Sequence, residues 1–389
     1  MAPDARRMTP VAPTTLAGTG MTVSAAAVTH NTRYFASRTA AAVMAVVKAD
    51  GYGHGAATVA RAALAGGATW LGVTSLAEAL DLRTAGLSAP ILSWLNPVQI
   101  PVETAVRARV DLAVSSLSQL RWCGAGQRWS APVRVHLHLD TGLARDGAPP
   151  AEWAQLCAEA AALEREGRVS VVGIMSHMSH ADEPSHPANA VARARFANAL
   201  DIAHGAGLTP LHRHLAATSA AAGDPASHHT LVRIGAGLVG IDLSGASAGS
   251  LVRAMTVTAP VLMTRSVARG TPVGYGGQWH APATTTLATV QVGYADGVPR
   301  VAGGRAFVAI HGRRCRLVGR VSMDQIVVDA TGTAVSPGDV ATVWGPGVSG
   351  EPTIDEWAQW SGTIPHEIVT GVSHRMRRAV SSAAAGAAR

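Results

Sequence analysis

The segment AAVMAVVKADGYGHG holds the densest chemistry in this sequence. Lys48 closes an apolar run and is followed at once by Gly51, Gly53 and Gly55. An ammonium at the end of a buried strand is partly desolvated, which lowers its pKa and equips the free amine to form a Schiff base with a carbonyl compound. The glycines let the backbone approach a bound ligand closely. A lysine that only carries its charge from a strand end into solvent has the same local pattern.

Other segments place polar side chains directly after apolar runs. LHLDTGLARDG offers Asp140, Thr141 and Arg145, and GIMSHMSHADE adds His177, His180 and Asp182. Alone, each could be a helix cap or a surface cluster. Two histidines three residues apart make half of a metal site, but no third ligand of clear identity accompanies them, so no metal is expected. In LVRIGAGLVG, Arg233 precedes Gly235 and Gly237, a turn able to cradle a phosphate on free backbone N–H groups or simply to reverse the chain. Further on, VGYGGQW, QVGYADGVPR and GRVSMDQ contain Tyr275, Tyr294, Met323 and Asp324. The chain has only 4 tyrosines, and one set between glycines is either exposed or placed.

These groups need a scaffold that gathers strand ends. Between Ala41 and about Gly240, eight short apolar runs alternate with Ala-rich stretches: AAVMAVV, TWLGVTS, APILSWL, VDLAVSS, VRVHLHL, VSVVGIM, LHRHLAA and TLVRIGA. ATVARAALAGG and AEWAQLCAEAAALERE read as intervening helices. Eight such units predict an α/β fold, a closed (β/α)8 barrel of the TIM type, whose active sites sit at the C-terminal strand ends. An open doubly wound sheet shares these local signals, but no GxGxxG follows the first strand. After about Ser244 the pattern becomes β-rich, with IDEWAQW the one helical stretch, which predicts a mostly antiparallel C-terminal β-domain. The expected limits are 21–243 for the barrel, its first strand a candidate to join the other sheet, and 244–380 for the β-domain. Residues 1–20 and 381–389 are expected to be frayed tails.

Composition agrees with this plan. A chain of 389 residues should hold two domains, since one domain usually takes roughly 100 to 200. Hydrophobic residues at 48% against 15% charged exclude a disordered chain. The net charge of +7 comes from scattered Lys and Arg without runs, so nucleic acid is not an expected partner. No stretch is apolar for the ~20 residues of a membrane span, and the N-terminus lacks the apolar core of a secretory signal. A cytoplasmic protein with no membrane attachment is therefore expected. Cys123, Cys157 and Cys315, an odd and widely spaced set, should be free thiols.

Taken in order, VKADGYGHG, LDTGLARDG, SHMSHADE, HLAATSA, VRIGAGLVG, VGYGGQW, VGYADGVPR, VGRVSMDQ and GTIPHEIVTGVSHRMRR resemble segments of the alanine racemase family, over about Met21 to Arg378. VKADGYGHG looks like that family's pyridoxal-phosphate (PLP) lysine motif almost letter for letter. The resemblance implies a head-to-tail homodimer in which each active site takes residues from both chains. It implies racemisation of a small amino acid, alanine first, by two bases: Lys48, which holds PLP, and Tyr275 of the partner subunit on the opposite face of Cα. Two opposed bases permit inversion, whereas one would tend to return the starting enantiomer.

The same resemblance implies the supporting roles. His177 would assist Tyr275, whose phenol has a reference pKa near ~10. Arg145 would meet the cofactor's phenolic oxygen and the substrate carboxylate. Arg233, oriented by His214, would face the ring nitrogen without donating a full proton, which weakens the electron sink and favours racemisation over transamination. Tyr52, Thr218, Gly235 and Ala236 would hold the phosphate. Met323 would lie on the substrate side, and Asp182, Tyr294, Arg300, Arg320 and Asp324 along the access channel.

Three positions depart from the family's pattern. The often carbamylated lysine two residues before DTG is His138, so a negative group that would hold Arg145 is missing, and a neutral His or a bound anion such as chloride could substitute. The tyrosine at the phosphate and inner gate is His366, and an Asn is Ala217. An altered gate keeps a serine or broad-specificity racemase open as an alternative. Tyr275 argues against a decarboxylase of the same plan, and the C-terminal domain against a non-catalytic PLP-binding protein.

Overall fold

In the computed structural model, which describes residues 18–125 and 131–382, a first strand β1 (Gly20–Ser24) precedes eight strands that all pair in parallel. These are β2 (Ala42–Val46), β3 (Trp70–Val73), β4 (Ile91–Ser93), β5 (Val110–Val114), β6 (Val133–His138), β7 (Val169–Met175), β8 (His212–His214) and β9 (Leu231–Ile234). Each arises from one of the eight apolar runs. Their order is β8-β7-β6-β5-β4-β3-β2-β9, and backbone bonds from Thr230 N to Arg213 O (3.1 Å) and Arg233 N to Ala216 O (3.0 Å) close the gap between β8 and β9. A sheet closed on itself with helices outside buries both strand faces, which is why β3, β4 and β5 are buried at every residue.

Local signals set the surrounding helices. Ser75 and Glu78 form a capping box at the start of Leu76–Thr84, and Pro150 occupies the first turn of Pro150–Arg165, where its missing N–H is harmless. Trp153 lies fully buried on that helix and donates its indole N–H to Ala199 O (2.9 Å) of the helix Pro187–Gly205.

The second sheet contains β10 (Met255–Val267), β13 (Thr285–Val290), β14 (Phe307–Ile310), β15 (Arg313–Leu317), β16 (Ile326–Asp329), β17 (Val340–Trp344) and β18 (Arg377–Ser381), while β11 (Pro272–Val273) and β12 (Trp279–His280) form a separate hairpin. Strand β1 belongs here, antiparallel to β10 and parallel to β18. The remaining pairings of this sheet among the described residues are antiparallel. A helix that the sequence reading lacked, Pro365–Thr370, follows the expected one at Ile354–Ser361. It is short and too tightly bounded by Pro365 and Gly371 to display a helical period. Gly20 and Ser381, assigned to tails from sequence, are the ends of β1 and β18, because strand pairing orders them; residues 1–17 and 383–389 lie outside the described residues.

The three cysteines are buried and unpaired, and burial pushes the Cys123 and Cys157 thiols up to about 12. No helix among the described residues is long and apolar enough to cross a membrane. Replacing Trp153 by Ala should cost about 3–5 kcal/mol, read as a lowered urea midpoint; an unchanged midpoint would show that this ring does not join the two helices.

Candidate active site

The chain leaves β2 at Lys48 and turns in the left-handed sense. Ala49, Asp50 and Tyr52 have φ of 51°, 52° and 55°, with Gly51 and Gly53 at 64° and 78°. Left-handed geometry costs roughly 1–2 kcal/mol for each residue bearing a Cβ, so this turn must be held from outside. Glu78 accepts from Ala49 N (2.8 Å), and Asp50 accepts from Ala56 N (2.9 Å) while its other oxygen pairs with Arg378 of β18. On the far side, a Cβ at Gly53 would lie 2.1 Å from Val369 O. The lysine is thus aimed by contacts from the barrel, from β18 and from the helix Pro365–Thr370.

Lys48 faces a cavity of about 850 Å³ at the C-terminal ends of the barrel strands. Tyr52, Arg145, His177, Asp182, Thr218, Arg233, Gly235, Ala236 and His366 share its wall. Burial lowers the Lys48 pKa, Arg145 lowers it further, and Glu78 opposes them. Burial, then Arg233, Arg145, Lys48 and His138, hold the His177 imidazole down at about 3, so it is neutral at physiological pH. Arg145 itself is exposed and has no hydrogen-bonding or ionic partner among the described residues, leaving its fork free for a carboxylate.

Arg233 is the opposite case. Its guanidinium is buried and donates to His214 O (2.8 Å), His214 Nδ1 (3.1 Å), Ser176 O (2.7 Å), Leu215 O (3.1 Å) and His177 Nδ1 (3.2 Å). Burial lowers its pKa to about 10, still well above neutrality, so the group stays cationic. Beside it, Thr218 Oγ1 accepts from the N–H groups of Gly235 and Gly237 (3.2 Å each). The Gly235 and Gly237 donors, free in the sequence reading, are therefore engaged, because the helix start at Thr218 packs against the turn. The Tyr52 hydroxyl fills the space where a Gly235 Cβ would stand, 2.2 Å away, and burial raises that phenol to about 12.

Comparison with known proteins matches this geometry at both levels. A family model described as alanine racemase, N-terminal domain, fits residues 23–242, and one described as alanine racemase, C-terminal domain, fits residues 254–380. The chain belongs to the alanine racemase family. An alanine racemase from Salinispora arenicola is 45% identical over 345 residues, 88% of this chain and 93% of that one. The solved alanine racemase from D-cycloserine producing Streptomyces lavendulae is similar with a TM-score of 0.91 at 38% identity, covering 95% of this chain and 99% of that one. An alanine racemase from Bartonella henselae, solved with covalently bound pyridoxal phosphate, gives a TM-score of 0.85 at 28% identity over 94% of this chain and 100% of that one.

Of the expected site residues, His214 lies buried behind Arg233 rather than on the cavity wall, and six others do not line the Lys48 cavity either: Tyr275, Tyr294, Arg300, Arg320, Met323 and Asp324. They sit together on the C-terminal domain. Tyr294 N and Ala295 N donate to Ser322 O and Met323 O (3.0 Å each), Arg320 lies 3.6 Å from a Cβ placed on Gly276, and Asp324 pairs with Arg375 (2.7 Å). Tyr275 is 70% exposed, so the chain's own barrel does not receive it. His180 stacks on His186 (3.8 Å between centroids) instead of serving the cavity, and no metal-binding cluster exists among the described residues.

The departing residues are also located. His138 lies 3.5 Å from the Asp146 carboxylate and 3.3 Å from Ser115 Oγ. Hydrogen bonding to His138 is the main cause that brings Asp146 down to about 2. A negative group thus returns to the corner from which the His138 substitution had removed one. Glu78 and Arg378 were missed from sequence; TSLAE signalled the Glu78 cap, but nothing local signalled its bond to Ala49. Ala217 and His366 both face the cavity, and His366 Nδ1 is buried without a partner.

Replacing Arg145 by Gln removes a positive neighbour and raises the Lys48 pKa. The pH at which cofactor-free protein takes up pyridoxal phosphate, followed by absorbance, should then move upward; an unmoved profile would mean that Arg145 does not act on Lys48.

Proposed function

We propose that this chain interconverts L- and D-alanine with pyridoxal phosphate attached at Lys48, in active sites completed by Tyr275 of the partner subunit. The observation that carries the reading is the convergence of Lys48, Arg145 and the buried Arg233, both of whose Nη atoms are bonded to the protein, on one cavity. The cavity's chemistry fits the cofactor: Tyr52 and Thr218 offer hydroxyls beside the Gly235–Ala236 turn for a phosphate, and the unpartnered His366 Nδ1 faces the same space. When bound, the cofactor supplies a sink for the electron pair left on Cα after proton removal.

The residues do the rest. Lys48, with its lowered pKa, takes or returns the proton on one face of Cα. Tyr275 of the partner subunit serves the other face. Arginine only donates, so the contact from Arg233 leaves His177 Nδ1 unprotonated and puts the ring proton on Nε2. A donor there steadies the phenolate that a tyrosine base requires. Arg145 would bind the substrate carboxylate, and the cationic Arg233 would face the cofactor's ring nitrogen without yielding its proton. Exposed Tyr275, Tyr294, Met323 and Val301 on the C-terminal domain, opposite in character to a polar rim, suit burial against a second copy. The same reading takes 21–243 and 244–380 as the domain limits, supported at one point by β1 joining the second sheet, and a reducing cytoplasmic location, which the three free thiols suit.

A broader substrate range is the second reading, favoured by Ala217 and His366 at the cavity wall. With single L-amino acids and chiral chromatography, PLP-loaded protein should form D-alanine fastest and Lys48→Ala none. Conversion of serine or larger residues in preference to alanine would establish the second reading, and His366→Tyr would then narrow the profile; identical profiles would remove His366 from specificity. Mixing the inactive Lys48→Ala and Tyr275→Ala proteins should restore up to about a quarter of wild-type activity, since random pairing leaves one intact site in each mixed dimer. No recovery after subunit exchange would sink the shared site.

A further inference from the structure

Beneath Arg233, the barrel interior holds a polar column where side chains of a TIM-type barrel are usually packed apolar layers. Asp111 of β5, His136 of β6 and His214 of β8 are almost wholly buried. His136 Nδ1 meets His214 Nε2 at 2.8 Å, and His136 Nε2 meets Asp111 Oδ2 at 3.4 Å. Arg134 grips the same carboxylate with two bonds (2.8 and 3.0 Å). His212 stacks on His136 with a 6° interplanar angle, Trp70 packs edge-on against both rings, and a Cβ at Gly173 would stand 2.1 Å from His136 Nδ1. Glycine opposite, aromatic rings beside and a carboxylate below leave His136 one pose.

The direction of every proton in the column follows from one fact. A guanidinium cannot accept, so His214 Nδ1, 3.1 Å from Arg233 Nη1, carries no hydrogen. The neutral His214 then bears its proton on Nε2 and donates to His136 Nδ1. His136 in turn bears its proton on Nε2 and donates to Asp111. Burial, the largest cause, holds His214 well below the ordinary imidazole range, in keeping with a neutral ring.

We propose that Asp111 and His136 are positioning residues for racemisation: with His214 they form a one-way hydrogen-bond relay that holds Arg233 as a charged donor aimed into the cavity. The proposal rests on the reading of Arg233 given above. Its physical content is that a carboxylate two rings away selects the tautomer that Arg233 needs. A wrong tautomer at such a place can cost catalysis heavily while leaving the fold intact, as for the buried aspartate of the serine-protease triad.

Nitrogen-15 NMR of histidine-labelled, PLP-loaded wild type reads the tautomers without a mutation. His214 should carry its proton on Nε2, and His136 should carry none on Nδ1; Nδ1–H on His214 would overturn the relay. In Asp111→Asn the amide can donate upward and reverse the chain, ending in two donors face to face at Arg233. The His214 signal should then change tautomer and kcat fall roughly 10- to 100-fold, with KM for alanine moved less than about threefold. A kcat loss without the tautomer change, or the change without a loss, overturns the proposal. If that variant does not fold, His136→Asn, whose Oδ1 can still accept from His214, should keep about tenfold more kcat than His136→Leu; equal values overturn it. Failure of wild type to racemise would instead reject the activity, while the tautomers would still report on the relay.

Discussion

The left-handed turn after Lys48 is the constraint on which the rest of the site depends. Residues with a Cβ do not hold such geometry unaided. Here the restraints come from Glu78 on a barrel helix, from Arg378 on the last strand and from Val369 on a helix of the second domain. The barrel therefore does not set the pose of Lys48 alone. Packing of the second domain onto the barrel is part of aiming the amine, which gives a physical reason for β1 and β18 to tie the two ends of the chain together in one sheet.

Around that turn the charges are arranged by what each group can and cannot exchange. Lys48 loses basicity through burial and the neighbouring Arg145, so a neutral amine is accessible. Arg233 has backbone carbonyls and imidazole nitrogens as acceptors and, among the described residues, no carboxylate in direct contact, which keeps it cationic without neutralising it. His177 stays neutral beneath the same cations. Arg145 is the one of these arginines left open at the cavity, and Asp146, held by His138, supplies compensating charge at that corner. The cavity thus presents fixed cations that suit a carboxylate and whose protons are not easily given away.

The six site residues on the C-terminal domain obey a different logic. Their local contacts hold Tyr294, Met323 and Arg320 in one patch, but Tyr275 projects outward. An exposed tyrosine flanked by glycines has little to pack on within its own chain. The mouth of the Lys48 cavity likewise exposes Leu95 and Leu243 at its wall, which under the proposed reading would meet a second copy.

Much of this was legible in the sequence, for reasons that are local. Eight apolar runs specify eight barrel strands because both faces of a parallel barrel strand largely exclude water, and Lys48 at the end of one of them is thereby placed at the C-terminal face of the barrel. The ordered motifs carried the family and the residue types of the site. The helix Pro365–Thr370 escaped notice because six residues do not display a period. What only the tertiary structure decided are contacts between distant segments: Asp50 with Arg378, 328 positions apart, Arg233 with the carbonyls of Ser176 and Leu215, and His136 with His214, 78 apart. The reason is that residue types and spacing determine backbone habit and burial, whereas the direction of a hydrogen bond, and so the protonation state it selects, exists only once donor and acceptor have been brought face to face.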